Sequence, residues 1–158
     1  MLNRPHARRH AVSLLCCLLC ACALPGPAQA QTPTPTQKQS RARELVVIVS
    51  AKSPVTGLQQ RQVADIFLAE AAHANLAAVD QRLGSPVRDA FYSKLAGRSP
   101  ELMKAHWSKM IFTGRGQPPR EAAGNAAVRR LVAANPALIG YIERSALNAS
   151  VRAVLVVQ

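Results

Sequence analysis

The 158-residue chain carries twenty Lys and Arg against eight Asp and Glu, four Cys, and only one Trp, two Tyr and three Phe. An apolar share of 49% with a charged share of 18% excludes a largely disordered chain, and the length leaves room for one core rather than two. The formal charge of +12 favours anionic partners, but the basic residues are spread along the chain and aromatics for base stacking are scarce, which argues against nucleic acid.

The first thirty residues read as a secretory signal peptide. Arg4, Arg8 and Arg9 form a basic start, Ala11 to Leu24 is an apolar run, and Ala28-Gln29-Ala30 supplies the small-x-small cleavage pattern. Fourteen apolar residues are too few for a bilayer-spanning helix, which needs about 18. Cleavage after Ala30 would leave 128 residues, with seventeen basic against eight acidic side chains and a net charge of +9. Cys16, Cys17, Cys20 and Cys22 all fall in the removed segment, so their spacing implies neither metal nor redox chemistry. Leu19-Cys20-Ala21-Cys22 offers an alternative, a loose lipobox with Cys22 as the acylated residue, although Cys20 departs from that motif. Either processing route predicts a periplasmic or envelope location.

Residues 31–43 read as a linker: Thr32-Pro33-Thr34-Pro35-Thr36 is followed by Gln, Lys, Ser and Arg, with nothing large enough to pack. The ordered domain is expected over 44–158. Leu45 to Val49 is a β-branched run that predicts a strand buried on both faces. Val63, Ile66 and Phe67 at helical spacing predict a helix over Gln59 to Leu68, and Ala77 to Val79 a short strand. Gly84-Ser85-Pro86 opens a helix, with Ser85 as N-cap, Pro86 at the first position, and Val87, Phe91 and Leu95 facing the core; Gly97 ends it. Ser99-Pro100-Glu101 opens the next, with Met103, Trp107, Met110 and Ile111 as its apolar stripe. Gly114 to Pro119 is a loop, Ala126 to Ala134 a helix with Val128, Leu131 and Val132 inward, and Asn135-Pro136 its stop. Leu138 to Ile142 and Val151 to Val156 close the chain as strands. This alternation implies an α/β fold, a mostly parallel or mixed sheet with helices on its faces.

No catalytic or metal-binding constellation emerges, and no cofactor is implied. His73 and His106 are the histidines left after cleavage, neither at ligand spacing, with His106 expected as an exposed or half-buried neighbour of Trp107. Asp65 and Asp89 fall on predicted helices and read as solvated, so no carboxylate pair suggests an acid and a base and the chain reads as a non-enzyme. An anion site is the better fit. In Asp80-Gln81-Arg82-Leu83-Gly84-Ser85-Pro86-Val87-Arg88, helix N-terminal amides, the Ser85 hydroxyl and the Arg82 and Arg88 guanidiniums can converge on an oxyanion. The plainer alternative is that Ser85 caps its own helix and both arginines are solvated. The loop after the first strand, with Ser50, Lys52 and Ser53, is a second candidate, and an ordinary polar turn is its alternative. Gly114-Arg115-Gly116 is a weaker one.

These segments resemble a known family. Val47-Ile48-Val49, Ser53-Pro54-Val55-Thr56-Gly57-Leu58, Gln62-Val63 and Ile66-Phe67-Leu68 are similar to the opening strand, turn and helix of phosphate ABC transporter substrate-binding proteins. Gly84-Ser85 with Arg88 and Phe91, Trp107 to Gly116, and Asn135-Pro136 with Ile139-Gly140-Tyr141 match later motifs in the same order. The resemblance implies a periplasmic-binding-protein type II-like fold that captures phosphate or a related oxyanion, with an ABC permease or another envelope protein as partner. It implies Ser85 as hydroxyl donor, Arg82 or Arg88 as charge partner, and Asp80 as acceptor of a ligand proton. The chain departs from the family in two respects. It accommodates one lobe of an ordinarily two-lobed receptor, which leaves open a homodimer that rebuilds the cleft. The family's "SGT" turn reads Ser85-Pro86-Val87 here, so one amide and one hydroxyl donor are missing. A ligand-free interaction or regulatory module with the same fold is the alternative function.

Overall fold

A computed structural model describes residues 39–40 and 43–158; the predicted leader, its cysteines and most of the linker lie outside the described residues. Strands β1 (Leu45–Ser50), β2 (Ala77–Gln81), β3 (Arg120–Ala122), β4 (Leu138–Glu143) and β5 (Val151–Val157) form one sheet in the order β3-β2-β4-β1-β5. Helices α1 (Gln60–Phe67), α2 (Pro86–Ala96), α3 (Pro100–Phe112) and α4 (Asn125–Ala134) connect them, and a 3-10 turn covers Arg144–Ala146.

β1 is buried along its whole length, as its β-branched run predicts, and its alternation divides the core in two. Leu45, Val47 and Val49 join Val63 and Phe67 of α1, Phe91 and Leu95 of α2, and Met103 and Trp107 of α3 on one face. Val46 and Ile48 meet Val128 and Val132 of α4 on the other. The result is a three-layer α/β/α unit, the arrangement that a sheet with two apolar faces requires. Gly140 sets the spacing of the thinner side. A Cβ there would lie 2.5 Å from Cγ1 of Val128 and 3.1 Å from Cγ2 of Val132, so α4 rests almost directly on the β4 backbone.

The sheet is mixed. β2 runs parallel to β3 and to β4, whereas β1 is antiparallel to both β4 and β5. Between β1 and β5 the register shifts after Val47, which pairs with Leu155 while Ile48 pairs with Ala153. The extra residue places Val154 and Leu155 consecutively on the α1 to α3 side and explains a burial period of three, not two, along β5.

Three local expectations are corrected. β3 was missing from the sequence-based order: its three residues begin with Arg120 and Glu121, both exposed, and carry no alternation to read. Ile111 does not join the inner stripe of α3. Met103, Trp107 and Met110 recur at i, i+4 and i+7, and Ile111 lies about 80° round the helix from Met103 and is half exposed. Asp65 is not simply solvated, since its carboxylate is 3.0 Å from Nε2 of the half-buried His73. His106, half-buried beside Trp107 as expected, also contacts Arg98 and the Leu68 carbonyl oxygen.

Candidate functional site

The strand directions separate the two groups of sequence candidates. Ser50 ends β1, and because β1 is antiparallel to β4 it lies where β4 and β2 begin. Asp80, Gln81 and the turn through Ser85 lie where β2 ends, at the opposite edge of the sheet. The separation is the length of a strand, about 17 Å, so Ser50 and Ser53 cannot serve the same small anion as Ser85. Their hydroxyls are already engaged. Ser50 donates to the Ala133 carbonyl and accepts from the Lys52 amide, while Ser53 accepts from the Val55 amide. Both are buried, Lys52 is exposed, and the segment is the polar turn that was its plainer reading.

At the other end the sequence candidates do come together, but in different roles. Asp80, expected to face a ligand proton, is 2% exposed and surrounded by donors from its own chain. Its Oδ2 accepts from Nε of Arg88 at 2.9 Å and from the Tyr92 hydroxyl at 2.9 Å. Its Oδ1 accepts from the Gln81 amide at 2.7 Å and from the Tyr141 hydroxyl. A buried carboxylate with four donors is a structural anchor, and its physical task is to hold Arg88. The Arg88 guanidinium also lies 5.0 Å from the Tyr92 ring centroid. Burial alone would lower the pKa of Arg88, but the adjacent Asp80 charge and hydrogen bond leave it raised. Burial and then Asp80 push both Tyr92 and Tyr141 well above the ordinary tyrosine range, so both stay protonated donors. Beneath them Tyr141 stacks on Phe91 with centroids 3.6 Å apart and planes 5° from parallel, and Phe67 meets both rings edge-on.

β2 leads to α2 on one face and β3 to α4 on the other, so their ends bound a crevice of the kind that forms where neighbouring connections leave a sheet in opposite directions. Polar side chains fill it. Gln81 Nε2 donates to Asn125 Oδ1 at 2.9 Å, Asn125 Nδ2 donates to Glu143 Oε2 at 2.9 Å, and the Ser85 hydroxyl donates to Gln81 Oε1 at 3.1 Å. Ser85 occupies the N-cap position but its side chain makes no cap bond, in contrast to Ser99, whose Oγ accepts from the Leu102 amide at 3.3 Å. Gly84, with φ of +75°, makes the turn before Ser85, and Arg82 is exposed. The sequence reading missed Asn125, Glu143 and Tyr141, because each lies far along the chain from the Asp80 segment, and Tyr92, which sits one helical turn beyond Arg88 with nothing in its local pattern to mark a polar role; only Gly124-Asn125 before an apolar helix marked its turn locally.

Arg88 has a second side. Among the described residues only its Nε finds an acceptor, and the side chain lines a cleft of about 350 Å³ between α2, α3 and the loop that precedes β3. Lys104, Ser108 and Gly84 share the lining, as do the carboxylates of Asp89 and Glu121. A guanidinium held rigidly at its Nε, with Nη1 and Nη2 free of protein acceptors, presents a preorganised fork to an oxyanion. Asp89 is half-buried at this cleft rather than solvated. Among the described residues no cluster of His, Cys, Asp and Glu could hold a metal ion, and no helix is long and apolar enough to cross a membrane.

No protein-family model matches the chain, and no curated protein matches it in sequence. Solved structures do resemble it. One, from Clostridium perfringens, is described as a phosphate ABC transporter substrate-binding protein with bound phosphate. It superposes with a TM-score of 0.57 at 23% identity, over 78% of this chain and 52% of the other. Another, an ABC-type phosphate transport receptor from Vibrio cholerae, gives a TM-score of 0.56 at 20% identity, over 78% and 53%. The chain thus spans about half the length of the structures it resembles. Over that span it shares their α/β fold, as the sequence motifs implied.

Proposed function

We propose that this protein is an exported, non-catalytic oxyanion-binding domain of the phosphate-receptor type, and that Arg88 carries the charge that holds the anion. The single observation behind this reading is the buried guanidinium of Arg88, a side chain that lines a cleft, whose Nε is fixed by Asp80 while Nη1 and Nη2 find no acceptor among the described residues. The likeness in fold to phosphate receptors supports the same class of ligand. Gly84 and Ser85 bring the α2 N-terminus to the edge of the cleft, Lys104 adds a second cation, and exposed Arg82 contributes at longer range. Asp80 serves by positioning Arg88, and Ser50 and Ser53 take no part. On this reading the protein works in the periplasm, with an ABC permease, an envelope protein or a second copy of the chain as its partner.

The test is thermal unfolding of ligand-stripped protein with phosphate, sulfate and carboxylates at matched ionic strength, chloride being the control. A ligand at 100 times its Kd adds about 2.7 kcal/mol and raises the midpoint of a domain this size by roughly 10 °C. The shift is expected to disappear in Arg88→Lys, which keeps a cation beside Asp80 but loses the fork. A cooperatively folded protein that responds to no oxyanion, or whose response survives Arg88→Lys, would overturn the reading.

The Ser85–Gln81–Asn125–Glu143 network favours a second reading, an interaction module without a ligand, because it fills the crevice with internal hydrogen bonds. Capture of one specific envelope protein, unaffected by any anion, would favour that module.

A further inference from the structure

The walls of the Arg88 cleft are mainly carbon. Leu83, Trp107 and Ile111 line it together with Pro118 and Pro119, and Leu83 and Ile111 are 69% and 49% exposed. Resting on the reading of Arg88 as the oxyanion group, we infer that the ligand is an organic oxyanion: a charged head on Nη1 and Nη2 of Arg88 and a compact apolar body against Leu83, Trp107 and Ile111.

Size supports an organic body. The cleft, at about 350 Å³, falls at the lower end of small-molecule sites, whereas one water accounts for only about 30 Å³. A bare tetrahedral anion would leave much of the apolar wall wet, and a hydrophobic body would release that water.

Charge points the same way. Arg88 is already paired with Asp80, and Lys104 shares the lining with two further carboxylates, Asp89 and Glu121. The lining therefore carries a formal net charge of −1, two cations against three carboxylates, and each additional negative charge on a ligand meets repulsion. Affinity has to come from a well-directed head group and buried carbon, not from a strong positive field.

Matched pairs of anions test this by titration calorimetry on the purified protein: inorganic phosphate against phenylphosphonate, and acetate against phenylacetate. In each pair the aromatic member is expected to bind about tenfold more tightly or better. Equal affinities within both pairs would overturn the organic-ligand inference and leave the oxyanion reading standing. Failure of all four anions to bind would overturn the oxyanion reading itself. Leu83→Ser and Ile111→Ser, at exposed positions, are expected to reduce the phenylphosphonate advantage roughly threefold each while phosphate affinity holds. Phe112→Ser, at a residue 93% exposed and outside the cleft lining, is expected to change neither. Full retention of the advantage in both cleft variants, with unfolding midpoints unchanged, would place the aromatic group elsewhere and sink the inference.

Discussion

The hydroxyl of Tyr141 donates to the carboxylate of Asp80 across 61 residues of chain, joining β4 to the end of β2 at the point from which Arg88 is held. The cluster is buried and contains one formal cation, one formal anion and three neutral donors, the Tyr92 and Tyr141 hydroxyls and the Gln81 amide. Removing the carboxylate charge would strand the guanidinium. Asp80→Asn is expected to cost about 3 to 5 kcal/mol, and Tyr141→Phe about 1 to 3 kcal/mol. Urea unfolding measures both; an Asp80→Asn protein as stable as the parent would contradict the assigned role.

The same cluster sets a limit at alkaline pH. Tyr92 and Tyr141 have folded-state pKa values raised, chiefly by burial and then by Asp80, above the ordinary 10.0. Above pH 10 the unfolded chain therefore releases protons that the folded chain retains. Their contribution is fully present below pH 10 and is lost above it, by about 1.4 kcal/mol per pH unit for each tyrosine. Stability measured from pH 9 to 11.5 is expected to fall more steeply for the parent than for Tyr92→Phe. Parallel slopes would show that Tyr92 ionises as freely folded as unfolded.

Two serines at helix starts should behave differently. Ser99 caps α3 through its hydroxyl, so Ser99→Ala is expected to cost about 1 kcal/mol. Ser85 spends its hydroxyl on Gln81, and Ser85→Ala should leave helix content unchanged while freeing Oε1 of Gln81. Circular dichroism and thermal midpoints on the two variants separate these effects.

Gly140→Ala tests the close contact between α4 and β4. The added methyl would overlap Val128, a β-branched side chain with little freedom to turn away, and the expected cost is about 1 to 3 kcal/mol. Adding Val128→Ala should restore part of that loss in the double variant, which denaturant unfolding would reveal.

What the sequence made legible was local. The β-branched run of β1, the Ser-Pro helix starts and the Gly97 stop each act within a few residues, and each lies where the pattern places it. The Asp80–Arg88 segment was also visible as a concentration of charge. Its role was not, because three of the groups that define it, Arg88, Tyr92 and Tyr141, reach Asp80 from 8, 12 and 61 residues away. Strand direction was equally hidden: nothing within Leu45 to Ser50 says that β1 runs against β4, yet that direction moves Ser50 and Ser53 to the far end of the sheet. Ile111 misled because apolar character alone does not distinguish the edge of a core stripe from the wall of a cleft.

The bulge in β5 bears on how the molecule meets copies of itself. Among the described residues β5 is an outer strand, and Val151-Arg152-Ala153-Val154-Leu155-Val156-Val157 is the composition that invites a second sheet to add on. An unbroken rim would present evenly spaced amides and carbonyls to a neighbour. Here the doubled position at Val154 and Leu155 interrupts that spacing and adds twist, while Arg152 donates to the Ser53 carbonyl and ties the start of the strand to the β1 turn. One inserted residue thus breaks the regular spacing that a strand added along this valine-rich margin would need.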